Sequence, residues 1–353
     1  MQKNHPLALI ISDTHLGASG SRYKKFEDFL ENIMEKISEE NELCKNLQCI
    51  ILLGDVFDLV CDSYKDISKD YKDIFELLDR FKEKNLEIII VLGNHDISVR
   101  GDWDKTFNDR KKKLVKKFRK ANFTPNFLKI ENLCQYLLLS NDEDRWKLSL
   151  YNTSKIFDTE PFRRIKLSEV RNLNGFHSIL LTHGHQFYPE KTRSAASVWE
   201  FCLGAPDFIK EIFNYIWNIA LKNGKDPEKI NIKAELNDQQ DEIEKKFNLK
   251  LNSKKKDRIK KFSLKIKEIK ALRESLKNSE VSVRSLLPKN LTLSRIIFGH
   301  THQVEIFHKD NIEFINTGAW QHVLPSFTFI YPNGNIKIRI LNENDEWEEY
   351  SEI

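Results

Sequence analysis

Five short apolar runs in the sequence each end at a cluster of acidic and imidazole side chains, and this pattern constrains the fold most. The runs are LALII, CIILL, EIIIVL, HSILLT and RIIF. Continuous apolar runs of this length are typical of strands that are buried on both faces. Helix-like stretches at residues 22–40 and 70–84 lie between the first three runs. The alternation predicts an α/β fold, in which ligands bind beyond the carboxyl ends of the strands.

The residues that follow these runs are of types that bind metal ions. The clusters hold six of the ten histidines of the chain and no cysteine. Imidazole together with carboxylate suits divalent ions such as manganese, iron or zinc. The set exceeds what one ion needs, so the sequence predicts two ions, which a carboxylate such as Asp55 can bridge at about 3.5–4 Å. The candidate ligands are Asp13, His15, Asp55, Asn94, His183, His300 and His302.

The order of the five motifs resembles that of the calcineurin-like metallophosphoesterase superfamily. The motifs are Asp-x-His, Gly-Asp-x-x-Asp, Gly-Asn-His-Asp, His-Gly-His and Gly-His-x-His, within residues 7–185 and 293–340. The resemblance implies a four-layer α-β-β-α sandwich with two divalent ions, manganese first, with iron, zinc or cobalt as alternatives. It also implies that Asp13, His15 and His302 hold one metal, that Asn94, His183 and His300 hold the other, and that Asp55 bridges.

The His-x-His pair of the last motif receives a specific geometric prediction. His300 and His302 are expected at alternate positions of an extended segment, where side chains two residues apart point the same way. One histidine can then serve each metal. Gly299 is expected to allow close approach of the backbone to the ions.

His95 follows a predicted ligand directly but is not itself assigned to a metal. It is suited to hydrogen-bond the leaving oxygen of a phosphoester and to donate a proton to it. The resemblance implies that Asp58 orients this histidine and favours its protonated state; a turn-capping role is the alternative for Asp58. Asp96, His185 and Arg100 are expected to support the site or to face the substrate.

The resemblance leaves several substrate classes open. Leu59-Val60 follows Asp58 where protein phosphatases have Arg-Gly, which counts against that class. The segments LLGDVFDLV and FINTGAWQHVLPSFTFI resemble the UDP-2,3-diacylglucosamine pyrophosphohydrolase-like branch, although its lipid A enzymes carry Arg in place of His95 and typically His-Gly-Asp in place of His183-Gly184-His185. We expect hydrolysis of a phosphodiester or pyrophosphate bond in a nucleotide- or lipid-linked substrate. A nuclease of the same fold and a catalytically inactive scaffold are the alternatives.

Residues 199–289 contain none of the metal motifs and are expected to form a helical insertion within a catalytic domain of residues 1–198 and 290–353. Apolar spacing in 208–223 and 259–276 predicts two amphipathic helices that cap the site; a homodimer interface is the alternative.

Two segments of the chain are strongly basic. Residues 245–273 carry thirteen Lys or Arg against two acids, and residues 110–120 carry eight with none. They predict either solvated helix faces or a contact with nucleic acid or anionic lipid.

The composition of the chain argues against several classes of protein. The net charge is only +4, and the five cysteines form no CxxC pair, which argues against a disulfide framework or a zinc ribbon. No apolar stretch reaches the roughly 18 residues of a membrane span, and the first residues lack the apolar core of a signal peptide. We therefore expect a soluble cytoplasmic protein.

Overall fold

A computed structural model of the chain shows two compact units. One comprises Met1–Gln186 with Ser282–Ile353, and the other comprises Phe187–Val281. Whether residues 199–289 cover the site stays a prediction. The structure describes residues 5–18, 20–39, 46–59, 62–97, 107–121, 125–142, 145–152, 161–169, 178–184, 212, 232–246, 250, 252–253, 255–256, 259, 293–309, 311–321, 324–342 and 346–350.

Within the described residues, fourteen strands form two sheets of seven. The strands are β1 (Ala8–Ile11), β2 (Cys49–Leu53), β3 (Glu87–Val91), β4 (Leu133–Cys134), β5 (Tyr136–Asp142), β6 (Arg145–Tyr151), β7 (Arg163–Glu169), β8 (Ser178–Thr182), β9 (Leu293–Phe298), β10 (Val304–Lys309), β11 (Ile312–Thr317), β12 (Ser326–Ile330), β13 (Ile336–Leu341) and β14 (Trp347–Glu349). The first sheet has the order β14-β13-β12-β1-β2-β3-β4, and the second has the order β10-β11-β9-β8-β5-β6-β7.

The strands that precede the five motifs run in parallel groups. β1, β2 and β3 are parallel neighbours in the first sheet, and β8 and β9 are parallel neighbours in the second. The carboxyl ends of parallel neighbours meet at one edge of a sheet. The motifs of each sheet are therefore brought together, as the sequence predicts.

The longer described helices of the first unit pack their apolar faces on the first sheet. In α1 (Tyr23–Ser38), residues Phe26, Phe29, Leu30 and Ile33 are buried, and their spacing of three and four residues places them on one face of the helix. The stretch predicted at 70–84 forms one helix over most of its length, preceded by a shorter one. The helices are α1 (Tyr23–Ser38), α2 (Tyr64–Asp70), α3 (Lys72–Glu83), α4 (Asn94–Ile97), α5 (Phe107–Lys120), α6 (Ile232–Asp238) and α7 (Gln240–Lys246).

Alternating side chains of β1 divide between two cores. Leu9 and Ile11 pack with the helices, whereas Ala8 and Ile10 pack between the two sheets, because successive side chains of a strand point to opposite faces. Both faces are buried, which explains the continuous apolar run in the sequence. Leu180 of the second sheet is also buried, on the face away from the first sheet. The stacked sheets with covered outer faces confirm the predicted sandwich.

The predicted amphipathic helices of the insertion lie outside the described residues, except for Ile212 and Ile259, which are helical and buried. Most of the basic segment 245–273 also lies outside them, whereas residues 110–120 lie on α5. None of the described helices is both long enough and apolar enough to cross a bilayer.

Candidate metal centre

Ligand-type side chains from the five motifs converge in three overlapping groups. Within each group the potential ligand atoms lie within 4.8 Å of one another. Two of the groups match the sets that the resemblance implies, apart from Asn94. The groups are Asp13 with His15 and His302, Asp55 with His183 and His300, and His15 with Asp55 and His95.

The first group is almost completely shielded from solvent. Asp13 and His15 are 0% exposed and His302 is 8% exposed. His302 Nε2 lies 3.3 Å from Asp13 Oδ1 and 3.1 Å from His15 Nε2. Two imidazole nitrogens and a carboxylate oxygen therefore face one another, which is a donor set that divalent metals prefer.

The second group contains Asp55, which also belongs to the group with His15 and His95. His183 Nε2 lies 3.0 Å from Asp55 Oδ2, and His300 Nδ1 lies 3.2 Å from His183 Nε2. The same Asp55 oxygen lies 3.7 Å from His15 Nε2. The Asp55 carboxylate thus lies between the two groups, in the place that a bridging ligand needs.

The Asn94 side chain provides a test of whether the site fits a cation. Asn94 begins α4, and both polar atoms of its amide are buried without a hydrogen-bond partner in the described part of the chain. A buried amide without a partner is costly and is rare in folded proteins. An amide oxygen that accepts no hydrogen bond is available to a metal, so the residues present fit the predicted ions.

The backbone at the site is strained. Asp13, His15, Asp55, His300 and His302 all have positive φ angles, between 45° and 73°. Residues other than glycine adopt this left-handed region rarely, and such residues cluster at functional sites.

The prediction of an extended segment at the His-x-His pair is wrong. β9 ends at Phe298, and His300 and His302 lie in a turn with φ angles of 73° and 60°. The turn directs His300 towards His183 and His302 towards Asp13, so the two histidines reach different groups by strained turn geometry rather than by strand alternation.

Glycines next to the ligands make room for carboxylates. A Cβ added to Gly299 would overlap Asp13 Oδ2, and one added to Gly93 would overlap Asp55 Oδ1. The Asp13 side chain therefore approaches the backbone of Gly299 closely. Its carboxylate also accepts a hydrogen bond from the backbone N–H of His300 at 3.0 Å.

Asp58 contacts two histidines at once. It is 0% exposed; Oδ2 lies 3.1 Å from His15 Nδ1 and Oδ1 lies 3.2 Å from His95 Nδ1, the latter contact without hydrogen-bond alignment. Burial would raise the pKa of Asp58, but the interactions with His15 and His95 hold it below its usual value. His95 Nε2 is buried and has no hydrogen-bond partner among the described residues.

Asp96 directs its carboxylate at the backbone. It accepts hydrogen bonds from the N–H groups of Phe57 and Gly93, both at 2.8 Å. Burial and the nearby charge of Asp55 raise the pKa of Asp96 to about 7. Asp96 thus ties the loop after β2 to the loop after β3. The other two residues of this predicted set, His185 and Arg100, lie outside the described residues.

The buried charges of the site compensate one another. Burial lowers the pKa of His15, but Asp13 and Asp58 raise it to about 10. Burial likewise lowers the pKa of His183, whereas the charges of Asp55 and Asp13 raise it to about 9. Buried carboxylates need cationic partners. With protein groups alone, protonated histidines fill that role.

Residues 316–320 contact the site, although the sequence predicted no role for any of them. The backbone N–H of Trp320 donates a hydrogen bond to the Asp13 carbonyl at 3.1 Å. The Ser12 hydroxyl donates one to the Gly318 carbonyl at 2.8 Å. Asn316 donates to Thr301, between the paired histidines. The run Asn-Thr-Gly at the end of an apolar strand was the available signal.

The sequence matches the family model of calcineurin-like phosphoesterases over residues 7–304. The chain belongs to this family. Membership places it among the phosphoester hydrolases, which work at a dinuclear metal centre, and the two groups of potential ligands agree with such a centre. No curated protein matches the chain.

Solved structures similar to this calcineurin-like phosphoesterase show low identity. Vacuolar protein sorting 29 from Cryptosporidium parvum is 12% identical with a TM-score of 0.34, covering 99% of this chain and 100% of that one. Vps29 complexed with zinc from Entamoeba histolytica is 13% identical with a TM-score of 0.32, covering 97% of each chain. Phosphopantetheinyl hydrolase from Mycobacterium tuberculosis is 14% identical with a TM-score of 0.29, covering 90% of each. At such TM-scores these similarities carry no argument about function.

Proposed function

We propose that the chain is a dinuclear-metal phosphoesterase that hydrolyses a phosphodiester or pyrophosphate bond. The observation that supports this most strongly is the position of the Asp55 carboxylate between two groups of buried ligand-type side chains. Asp13, His15 and His302 would hold one ion, and Asn94, His183 and His300 would hold the other.

Two such ions, when bound, polarise the phosphate and make hydroxide available near neutral pH. His95 would donate a proton from Nε2 to the leaving oxygen, since this nitrogen has no partner among the described residues. Asp58 would orient His95 through Nδ1 and would also direct His15 Nε2 towards its group.

We propose manganese as the native metal, with iron, zinc or cobalt as alternatives. Imidazole, carboxylate and amide donors without a thiolate suit these borderline ions, and structural zinc sites usually include cysteine. The described cysteines Cys49 and Cys134 are buried in the core.

We infer a nucleotide- or lipid-linked substrate, bound under a cap formed by residues 199–289, in a cytoplasmic enzyme. The Asn-Thr-Gly segment that resembles the UDP-2,3-diacylglucosamine pyrophosphohydrolase-like branch supports this substrate class. His95 stands where the lipid A enzymes of that branch carry arginine, so the substrate itself would differ from theirs. The alternative role for 199–289 is a homodimer interface.

A second candidate function is a nuclease of the same fold. The face of α5 that carries Lys112, Lys116, Arg119 and Lys120 is exposed, and none of these four has an ion pair among the described residues. α5 packs against α4, which carries Asn94 and His95. A phosphate backbone cleaved at the site could therefore continue along α5, with binding that weakens steeply as salt rises.

The test is a metal-supplemented activity screen on nucleotide diphosphate conjugates, cyclic nucleotides and DNA at two salt concentrations. His300→Ala should abolish hydrolysis. The matched control His308→Ala, at a side chain that is 70% exposed, should not. Activity on small conjugates that is insensitive to salt favours the first function, and salt-sensitive cleavage of DNA favours the nuclease. If the wild-type protein hydrolyses none of these substrates with any of the metals, both proposed functions are wrong and the catalytically inactive scaffold is the remaining alternative.

A further inference from the structure

The last residues of β11 contact the turn that carries the paired histidines. Asn316 is 0% exposed and pairs with Phe298, the last residue of β9, in parallel register. Its Nδ2 donates to Thr301 Oγ1, and its Oδ1 accepts the Gly318 N–H at 3.1 Å. Both ends of this buried amide are thus used, one of them on the residue between His300 and His302.

The turn needs such support because two of its residues are strained. His300 and His302 both have left-handed φ angles, which persist only where surrounding contacts over-determine the backbone. The Gly299 N–H donates to the His183 carbonyl at 3.1 Å, and His300 N–H donates to the Asp13 carboxylate. These bonds hold the start of the turn, and the bond from Asn316 holds its middle.

The residues around Asn316 attach the same segment to the first motif. Thr317 Oγ1 lies 2.8 Å from Ser12 Oγ and donates to the Phe298 carbonyl at 3.2 Å. A Cβ at Gly318 would overlap Ser326 Oγ, so the backbone here has little freedom to shift. The segment is therefore a rigid base from which the Asn316 amide reaches Thr301.

We propose that Asn316 is a positioning residue that acts through the Thr301 hydroxyl to hold His300 and His302 in the geometry that binds metal. The inference rests on the proposed function, since it assigns a metal-binding purpose to that geometry. Asn316 itself is not a ligand, because its amide oxygen and nitrogen are both engaged by protein groups.

Four variants of the full-length protein test the contact from both sides. Thr301→Val removes the hydroxyl at similar volume, Thr301→Ser retains it, and Asn316→Ala removes the donor. The double variant Asn316→Ala/Thr301→Val removes both. Thr328→Val is the control, since Thr328 is a buried threonine whose hydroxyl has no partner in the described part of the chain. The measurement is the Kd for Mn²⁺ by competition with a fluorescent chelator, with thermal unfolding of each chelator-treated protein.

We expect Thr301→Val and Asn316→Ala each to raise the Kd for Mn²⁺ about 10–100-fold, as loss of a group that orients ligands does. Thr301→Ser and Thr328→Val should bind like the wild type. The double variant should lose no more than the worse single variant, because both act on one contact.

The inference would be overturned if Thr301→Val binds Mn²⁺ with wild-type affinity, a result that stands even if Asn316→Ala fails to fold. It would also be overturned if the losses of Mn²⁺ affinity in the two single variants add in the double variant. Equal losses in Thr301→Val and Thr301→Ser would do the same, since the hydroxyl would then be irrelevant. Wild-type protein that binds no Mn²⁺ would overturn the proposed function as well, so the two failures are distinguishable.

Discussion

Alanine at Gly299 tests whether the carboxylate of Asp13 must occupy its observed place. The backbone of Gly299 lies outside the left-handed region, so alanine adds no conformational strain there. Its Cβ would overlap Asp13 Oδ2 and lie 2.9 Å from Ser12 Oγ. The carboxylate cannot swing away freely, because it accepts the His300 N–H at 3.0 Å and 3.2 Å.

The expected losses of stability and activity follow from this overlap. Overpacking at a buried position costs about 1–3 kcal/mol of folding free energy. A shift of a ligand on the order of 1 Å costs about 100-fold in activity. We therefore expect Gly299→Ala to lower kcat/KM for a nitrophenyl phosphodiester about 100-fold and to weaken Mn²⁺ binding.

Gly334→Ala separates this effect from general destabilisation. Gly334 lies in the turn between β12 and β13 with φ 80°, where a Cβ costs about 1–2 kcal/mol. Both variants should lower the Tm, by about 1–2 °C for each kcal/mol, but only Gly299→Ala should lose metal and activity. Gly299→Ala protein that binds Mn²⁺ and turns over like the wild type would refute the steric reasoning.

Three further predictions concern the ligands and their protons. Asp55→Asn should lose most activity and loosen both metals, because the carboxylate between the two groups loses its charge; elemental analysis that still finds two tightly bound ions would remove the bridging role. His95→Asn should keep both metals but turn over more slowly, with a smaller loss on nitrophenyl esters, whose leaving group needs no proton; equal losses on good and poor leaving groups would exclude proton donation. Because the pKa of His15 is about 10 and that of His183 about 9, Mn²⁺ loading at neutral pH should release protons, and affinity should rise with pH towards 9. Calorimetry in buffers of different ionisation enthalpy measures this release, and a binding heat that is independent of the buffer would contradict it.

The sequence predicted the strands before the motifs well because β1, β2 and β3 are buried on both faces, which leaves an unbroken apolar run. The hairpin of β5 and β6 was not predicted, because β5 ends at polar positions and β6 alternates polar and apolar residues instead of forming an unbroken apolar run. The convergence of the candidate ligands could be predicted from the sequence because the carboxyl ends of parallel strands in an α/β fold lie at one edge of the sheet.

Two features of the site could not be read from the sequence. Left-handed φ angles at His300 and His302 are set by tertiary contacts and not by residue type, so an extended segment was the natural but wrong expectation. The bond from Asn316 to Thr301 joins residues fifteen positions apart, and the pairing of β11 with both β9 and β10 brings them together.

The most direct test of the central claim is a titration of chelator-treated protein with Mn²⁺, in which hydrolysis and bound metal are measured on the same samples. We expect two ions per chain at saturation and hydrolysis that appears only as the second ion binds, because both are needed to activate the phosphate. Full hydrolysis at one ion per chain, or hydrolysis that persists in the chelator, would contradict the dinuclear mechanism.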